Sequence, residues 1–236
     1  MITPSIDDLN LLAEARASFC AFINLHFLIL PDIKFVKNVR GMEYAAFLGK
    51  LDQDINIHPD IVQGARLMKS FLDQNGKLDE EQFSKALGVD RTRLYRGVSP
   101  TYGPPPPYEA VWTIDPDKHS ALLQQIATIY HQDGLTQAQD LPERGDYIGI
   151  ELDYIENLAR KEAKLLKSNK FKPANALFER QRSFLEEHLM KWVPRFVESA
   201  LGFVKTDFYH GHLLMLQGFI LEQVEIFSTI STSPKK

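Results

Sequence analysis

The spacing of the apolar residues is the feature that most limits what this chain can fold into. Apolar residues recur mostly every three or four positions rather than at every second one. A repeat near 3.6 residues lines one face of a helix, whereas a half-buried strand needs a period of two. We therefore predict an all-α protein and find no convincing strand in the sequence.

The first helix is predicted to begin at Ser5 and to end near Pro31. Asp8 stands three residues after Ser5, which makes an acidic variant of the capping box. One face of this helix is apolar and includes Cys20, which we interpret as a small hydrophobic residue. Arg16 interrupts the same face, and we interpret it as a rim residue whose charged end reaches solvent.

Further helices are predicted from the same periodicity and from capping residues. Asp146 is the predicted N-cap of a long helix, and Gly88 is predicted to end another. The predicted ranges are 42–51, 58–73, 79–87, 89–96, 115–130, 146–167, 173–192 and 206–227.

Residues 98–107 interrupt the helical pattern, because they contain five of the 13 prolines. Proline at this density excludes the interior of a helix or a sheet. The segment is either a linker or an ordered surface loop. We predict that residues 1–236 form a single domain, a helical bundle with an N-terminal and a C-terminal sub-bundle joined by this proline-rich loop.

Composition narrows the class of protein. Lys and Arg number 27 against 31 Asp and Glu, so the net charge of −4 does not favour a nucleic-acid partner. One cysteine and no Asn-x-Ser/Thr acceptor give no sign of an oxidising compartment. The first ten residues lack the basic region of a signal peptide, and the apolar stretch 208–221 is shorter than the ~20 residues of a membrane helix. We predict a cytoplasmic protein without a membrane span.

Standard cofactor motifs are missing. There is no Gly-x-Gly, and His210 and His212 are two positions apart, which points them to different sides of a helix. Residues 73–83 resemble the middle of an EF-hand loop but lack the carboxylates needed at its first and last positions. A helix, an Asn-Gly turn and a second helix capped by Asp79 account for the same residues. We predict no bound cofactor or metal.

The charge is unevenly distributed along the chain. Residues 133–157 carry seven acidic residues and one basic residue, Arg144, together with Tyr147 and Tyr154. Residues 160–195 carry ten Lys or Arg against four Glu. A solvated helix face accounts for either stretch. The acidic stretch also suits the binding of a basic peptide.

Several aromatic residues flank the prolines, among them Tyr95, Tyr102, Tyr108 and Trp112. Rings held beside prolines in a rigid loop are found at peptide-docking surfaces, and packing against the bundle is equally common. An aromatic groove beside a carboxylate cluster would fit a peptide with arginines at one end and leucines behind them.

An ordered set of short motifs resembles a known family, the TorD/DmsD/NarJ-like redox enzyme maturation proteins. These are cytoplasmic, all-helical chaperones of molybdenum-cofactor oxidoreductases. The resemblance runs from about residue 10 to residue 225. Its motifs are Arg16, Leu94-Tyr95-Arg96-Gly97, Pro106-Pro107-Tyr108-Glu109, Tyr130 and Gly134, Glu143-Arg144-Gly145-Asp146-Tyr147, Glu151-Leu152, His188-Leu189, Trp192 and Phe208-Tyr209.

The resemblance implies that the chain binds the twin-arginine signal peptide of a client and makes or breaks no bond itself. It also implies a hold on the apo form of a molybdoenzyme catalytic subunit until its molybdopterin cofactor is inserted. The peptide-binding residues carried over by motif are Tyr95, Gly97, Pro107, Tyr108, Glu109, Asp146, Tyr147 and Glu151. The chain departs from the family pattern at Tyr147, where the family has histidine, and at Ala110, where it has serine.

Two other classes of function are kept as alternatives. In a helical enzyme or small-ligand binder, Glu143, Asp146 and His188 would line a buried pocket and exchange protons. In an oligomeric scaffold, the hydrophobic last helix would form the contact between copies. Both a monomer and a domain-swapped dimer are compatible with the sequence.

Overall fold

A computed structural model describes residues 4–113, 115–135 and 143–230. It is 78% helical, and the described residues contain no strand. The all-α prediction is confirmed. The helices are α1 (Ile6–Leu28), α2 (Ile33–Val39), α3 (Met42–Gln53), α4 (Pro59–Gln74), α5 (Glu80–Tyr95), α6 (Glu109–Thr113), α7 (His119–Gln132), α8 (Ile148–Lys167), α9 (Phe171–Phe184), α10 (Met190–Leu201) and α11 (Asp207–Thr229), with a 3₁₀ turn at Pro116–Lys118 and a π segment at Leu185–Leu189.

The chain divides into two compact units, and neither is one continuous stretch. The first unit comprises Met1–Asn24, Tyr108–Lys191 and Gln223–Lys236, and the second comprises Leu25–Pro107 and Trp192–Glu222. One boundary falls at the end of the proline-rich loop. The first unit thus combines the beginning, middle and end of the chain, which differs from the expected N-terminal and C-terminal halves. That residues 1–236 form a single domain stays a prediction.

The start of α1 follows the capping pattern read from the sequence. The Ser5 amide donates to the Asp8 carboxylate at 3.0 Å, and the Asp8 amide donates to the Ser5 hydroxyl at 3.1 Å. Cys20 is fully buried on this helix, and burial raises the pKa of its thiol far above the usual range. The interpretation of Cys20 as a hydrophobic core residue is confirmed.

The interpretation of Arg16 as a rim residue is wrong. Only 2% of Arg16 is exposed, and its guanidinium donates to Glu162 of α8 at 3.0 Å, to Gln181 of α9 at 2.9 Å and to Gln223 of α11 at 2.8 Å. The ring of Phe227 lies 4.5 Å from the guanidinium carbon. Partners on three other helices of the first unit compensate the loss of water around the charge, so Arg16 can stay inside.

The second unit is closely packed where α4 meets α11. A Cβ atom added to Gly64 would lie 2.4 Å from the Gly211 carbonyl oxygen, and one added to Gly211 would lie 2.3 Å from the Gly64 carbonyl oxygen. The two backbones therefore touch with no room for a side chain. Asp90 of α5 accepts from the amides of Lys205 and Thr206 at 3.1 and 2.8 Å and so caps the chain entering α11.

Two predictions of where a helix ends are wrong. Helix α5 continues through Gly88, because Leu87, Arg91 and Leu94 bury a face that extends across it, and this burial outweighs the ~1 kcal/mol that glycine costs in a helix. The predicted helix 173–192 is two helices joined by the π segment, and Pro194 lies inside the second of them. By contrast, the Asp79-capped helix after the Asn-Gly turn is confirmed, since the Asp79 carboxylate accepts from the Gln82 amide at 2.7 Å.

Among the described residues, α1 alone has the length and apolar composition of a membrane-crossing helix. Core helices of soluble proteins and N-terminal signal sequences have the same properties, so this is weak evidence for a span. In this structure 44% of the most apolar part of α1 is buried. The stretch 208–221, singled out from the sequence, belongs to α11.

We expect Arg16→Met to lower the free energy of unfolding by about 3 to 5 kcal/mol, because it leaves the buried Glu162 carboxylate without its cation. Urea unfolding followed by circular dichroism measures the loss. Arg160→Met is the matched control on α8, since the Arg160 side chain is 54% exposed and pairs with Glu156 of the preceding turn. It should change stability by about 0.5 kcal/mol or less. Equal losses for the two variants would contradict the structural role assigned to Arg16.

Candidate functional site

The loop before α6 and the loop before α8 meet in the first unit. Tyr108 and Tyr147 form an isolated antiparallel bridge, and their ring centroids are 5.2 Å apart. The Glu109 amide donates to the Asp146 carbonyl oxygen at 2.9 Å. Prolines precede Tyr108 directly, so this stretch is extended until α6 begins at Glu109. Two predicted parts of the site, 37 to 39 positions apart in sequence, are thereby brought together.

Asp146 is fully buried and does not cap α8 as predicted. Tyr147 occupies the N-cap position of that helix. The Asp146 carboxylate accepts instead from the Ala110 amide at 3.1 Å, in the first turn of α6. It also accepts from Nε and Nη2 of Arg144 at 2.9 and 2.8 Å. Because the bridge brings the Asp146 side chain next to α6, its hydrogen-bond partner is an amide of α6 and not an amide of α8, as the sequence had indicated.

Arg144 and Tyr108 form the solvent-facing part of this cluster. The Arg144 side chain is 43% exposed, and its guanidinium carbon lies 4.7 Å from the centroid of the Tyr108 ring. The Tyr108 hydroxyl donates to the Glu143 carboxylate. A ring face, a carboxylate and a half-exposed guanidinium therefore lie above the buried Asp146.

Glu109 and His188 make a buried pair beneath the cluster. Nδ1 of His188 lies 2.8 Å from Oε2 of Glu109, and both side chains are at most 3% exposed. The His188 ring stacks on Phe184 with centroids 4.5 Å apart. Of the alternative trio of Glu143, Asp146 and His188, His188 pairs with Glu109, whereas the other two bond to Tyr108 and Arg144.

Glu151 is fully buried in the first turn of α8. Burial raises the pKa of the neighbouring Tyr130, and the negative charge of Glu151 raises it further. The Tyr130 hydroxyl therefore remains a donor at neutral pH, and it donates to the Gly145 carbonyl oxygen at 2.9 Å. This bond ties the end of α7 to the loop that carries Asp146.

The other three predicted site residues lie in the second unit. Tyr95 is a core residue, with 2% of its surface exposed and its hydroxyl 2.8 Å from Nδ1 of His212. Gly97 has a positive φ of 60°, and an added Cβ would lie 2.6 Å from Cδ of Pro106. Pro107 ends the first of the two segments that make up this unit. Of the eight predicted residues, the five gathered in the first unit are Tyr108, Glu109, Asp146, Tyr147 and Glu151.

The proline-rich loop is built against its own unit. An added Cβ at Gly103 would lie 1.9 Å from the Arg93 carbonyl oxygen, so the loop backbone packs directly on the end of α5. The Arg93 guanidinium also lies 4.7 Å from the Tyr102 ring centroid. A cleft of about 400 Å³ opens between this loop and the end of α10, with Gly97 and Phe203 in its lining. These contacts favour an ordered surface loop over a linker, and the choice between the two stays a prediction.

The acidic stretch is only partly a surface feature. Asp146 and Glu151 are buried, and the Asp133 side chain is 4% exposed. Asp140, which was counted with them, lies outside the described residues. The predicted site omitted two polar residues of this region, Arg144 and Asp133. Arg144 could have been included from the sequence, because it stands two residues before Asp146.

Comparison with known proteins gives the family. A family model described as nitrate reductase delta subunit matches residues 56–198, more than half of the chain. Three relatives named Chaperone protein TorD are similar: those of Vibrio vulnificus strain CMCP6 (24% identical over 186 residues, 77% of this chain and 80% of the relative), Vibrio cholerae O1 El Tor Inaba N16961 (26% over 218 residues, 91% and 93%) and Vibrio atlanticus LGP32 (37% over 106 residues, 44% and 45%). No solved structure matches the chain.

The chain belongs to the nitrate reductase delta subunit family, which includes the NarJ and TorD types. It is a TorD-like redox enzyme maturation protein, a chaperone for the maturation of molybdoenzymes. The family is non-catalytic, so the chain is not an enzyme. The resemblance read from the ordered motifs is confirmed.

We expect Asp146→Asn to lower the free energy of unfolding by about 1 to 3 kcal/mol. The amide keeps an oxygen for the Ala110 amide hydrogen, but it loses the charge that holds Arg144. Differential scanning calorimetry measures the shift. Asp117→Asn changes an exposed carboxylate of the same unit and should leave stability within about 0.5 kcal/mol. If the two substitutions cost the same, Asp146 does not organise the cluster.

Proposed function

We propose that this chaperone binds the twin-arginine signal peptide of a molybdopterin oxidoreductase. It would then hold the apo form of the catalytic subunit until the cofactor has been inserted, before export. The peptide must be recognised ahead of export, so the place of action is the cytoplasm. Membership of the TorD-like family supports the client class.

The observation that carries the proposal is the bridge between Tyr108 and Tyr147. It joins the aromatic residues that follow the prolines to the acidic stretch before α8. The resulting cluster contains four carboxylates and one arginine: Glu109, Glu143, Asp146, Glu151 and Arg144. A negative cluster with the Tyr108 ring at its surface is complementary to a basic peptide.

The chain's own arginine supports this chemistry. Arg144 places its guanidinium over the Tyr108 ring while it bonds to Asp146 through two nitrogens. Such an arrangement combines a charge-assisted hydrogen bond with contact to a π face. A leader arginine beside Glu143 and Tyr108 would find the same two kinds of partner.

The remaining features of the proposal come from the family pattern. Tyr95, Gly97 and Pro107 stay in the predicted peptide-binding set through their motif positions. Tyr147, where the family has histidine, offers a ring and no imidazole. The absence of nucleic-acid and membrane partners, and the choice between a monomer and a domain-swapped dimer, stay predictions.

We expect a synthetic leader peptide with an Arg-Arg pair followed by a leucine-rich segment to bind in isothermal titration calorimetry. Replacing Arg-Arg by Gln-Gln should weaken binding, because the carboxylates lose their cationic partner. Raising the salt from about 0.1 M to about 1 M shortens the screening length from about 10 Å to about 3 Å and should also weaken binding.

The matched protein variants are Glu143→Gln and Glu81→Gln. Glu143→Gln should weaken binding of the Arg-Arg peptide by about three- to tenfold, which is the range for a partly exposed charged hydrogen bond. Glu81 is an exposed carboxylate at the start of α5 in the second unit, and its substitution should have no effect. Equal affinity for the Arg-Arg and Gln-Gln peptides at both salt concentrations would refute the proposed function.

A further inference from the structure

A second polar recess lies in the first unit, where the end of α7, α8 and the π segment after α9 come together. This recess, called the His188 cleft below, has a volume of about 320 Å³. None of the predicted peptide-binding residues lines it. The lining residues that matter here are Asp133, Tyr154, Arg180, Phe184, Glu187 and His188.

The Nε2 atom of His188 favours a ligand that can donate a hydrogen bond. A carboxylate only accepts hydrogen bonds, so the Glu109 contact at 2.8 Å puts the proton of the neutral imidazole on Nδ1. Nε2 is then an acceptor. It is buried and has no hydrogen-bond partner among the described residues, although His188 lines the cleft. A buried acceptor without a partner favours a ligand that can donate to it.

The other walls of the cleft favour a flat cation. The rings of Tyr154 and Phe184 are 4.6 Å apart between centroids, and Phe184 stacks on the imidazole of His188. Glu187 adds a carboxylate at the exposed rim. Asp133 is the C-cap of α7, where the helix dipole is negative. A guanidinium group combines planarity, positive charge and several donors.

Cations of the chain itself already gather at Asp133. The Arg180 guanidinium donates to the Asp133 carboxylate, whose side chain is 4% exposed, while the Arg180 side chain is 51% exposed. The Tyr154 hydroxyl donates to the same carboxylate at 2.6 Å, and the Lys161 ammonium donates to the Asp133 carbonyl oxygen at 3.0 Å. Burial raises the pKa of Tyr154 to about 12, which keeps that hydroxyl a donor.

We propose that the His188 cleft binds an arginine side chain of the client's leader peptide and that Arg180 occupies Asp133 until the peptide replaces it. This inference rests on the proposed function, because it takes the basic leader as the ligand. The incoming guanidinium would lie on the aromatic wall, bond to Asp133 and donate to Nε2 of His188. Glu109 would act as a positioning residue that holds His188 in the required tautomer.

The test compares Arg180→Gln with Arg160→Gln by calorimetric titration of the Arg-Arg peptide. If Arg180 competes with the ligand, its removal should tighten binding by about three- to tenfold, the range expected for a partly exposed ion pair. Arg160 is matched in type and exposure, with 54% of its side chain exposed, and it does not line this cleft. Its substitution should leave the affinity unchanged. Weaker or unchanged binding by Arg180→Gln would overturn the proposal, since a merely structural arginine gives those results.

A second variant and a second readout test the cleft from the ligand's side. Asp133→Asn should weaken binding of the Arg-Arg peptide by about tenfold. It should also abolish the preference for the Arg-Arg peptide over a citrulline-citrulline peptide, because citrulline has the shape of arginine without its charge. The ring proton signals of His188 should shift in NMR spectra when the Arg-Arg peptide is added. A retained preference or unmoved His188 signals would overturn the proposal.

The outcomes separate this inference from the proposed function. A wild-type protein that binds neither peptide overturns both. If the wild-type protein prefers the Arg-Arg peptide but Arg180→Gln and Asp133→Asn behave like wild type, only the proposal for the His188 cleft is overturned. The cluster around Tyr108 then remains the proposed peptide site.

Discussion

The first unit depends on the burial of one charge. Arg16 of α1 is buried, and a guanidinium removed from water needs hydrogen-bond acceptors and an opposite charge inside the protein. Its Nε and Nη1 donate to Glu162 of α8, Gln181 of α9 and Gln223 of α11. The three acceptors are 146, 165 and 207 positions away in sequence. The packing of four helices is therefore fixed by the directional demands of one side chain in addition to apolar contact.

Most of the fold could be predicted from the sequence because helix periodicity is a local property. The Ser5 and Asp79 caps are examples, since each needs only residues three positions away. What failed depended on tertiary contacts. Gly88 reads as a helix end until the burial of Leu87 and Arg91 is known, and Arg16 reads as a rim residue until its acceptors are in place. The π segment has no comparable local signal.

For the candidate site too, local patterns were informative and tertiary contacts could not be predicted. Motif order placed Tyr108 and Glu109 in one predicted set with Asp146 and Tyr147, and the bridge brings these four residues together. The pairing of Glu109 with His188 spans 79 positions, and no local pattern predicts it. The exposure of the carboxylates was also misjudged, because charge counting treats every acidic residue as solvated, whereas Asp146 and Glu151 are buried.

The buried thiol of Cys20 gives this chaperone a built-in reporter of opening. It is the only cysteine in the chain, and it lies on the same helix as Arg16, one turn further along. Burial disfavours the thiolate, which is the reactive form. A thiol reagent can therefore label the native protein only as often as α1 separates from its neighbours. The labelling rate then follows the lifetime of the closed first unit, without an introduced probe.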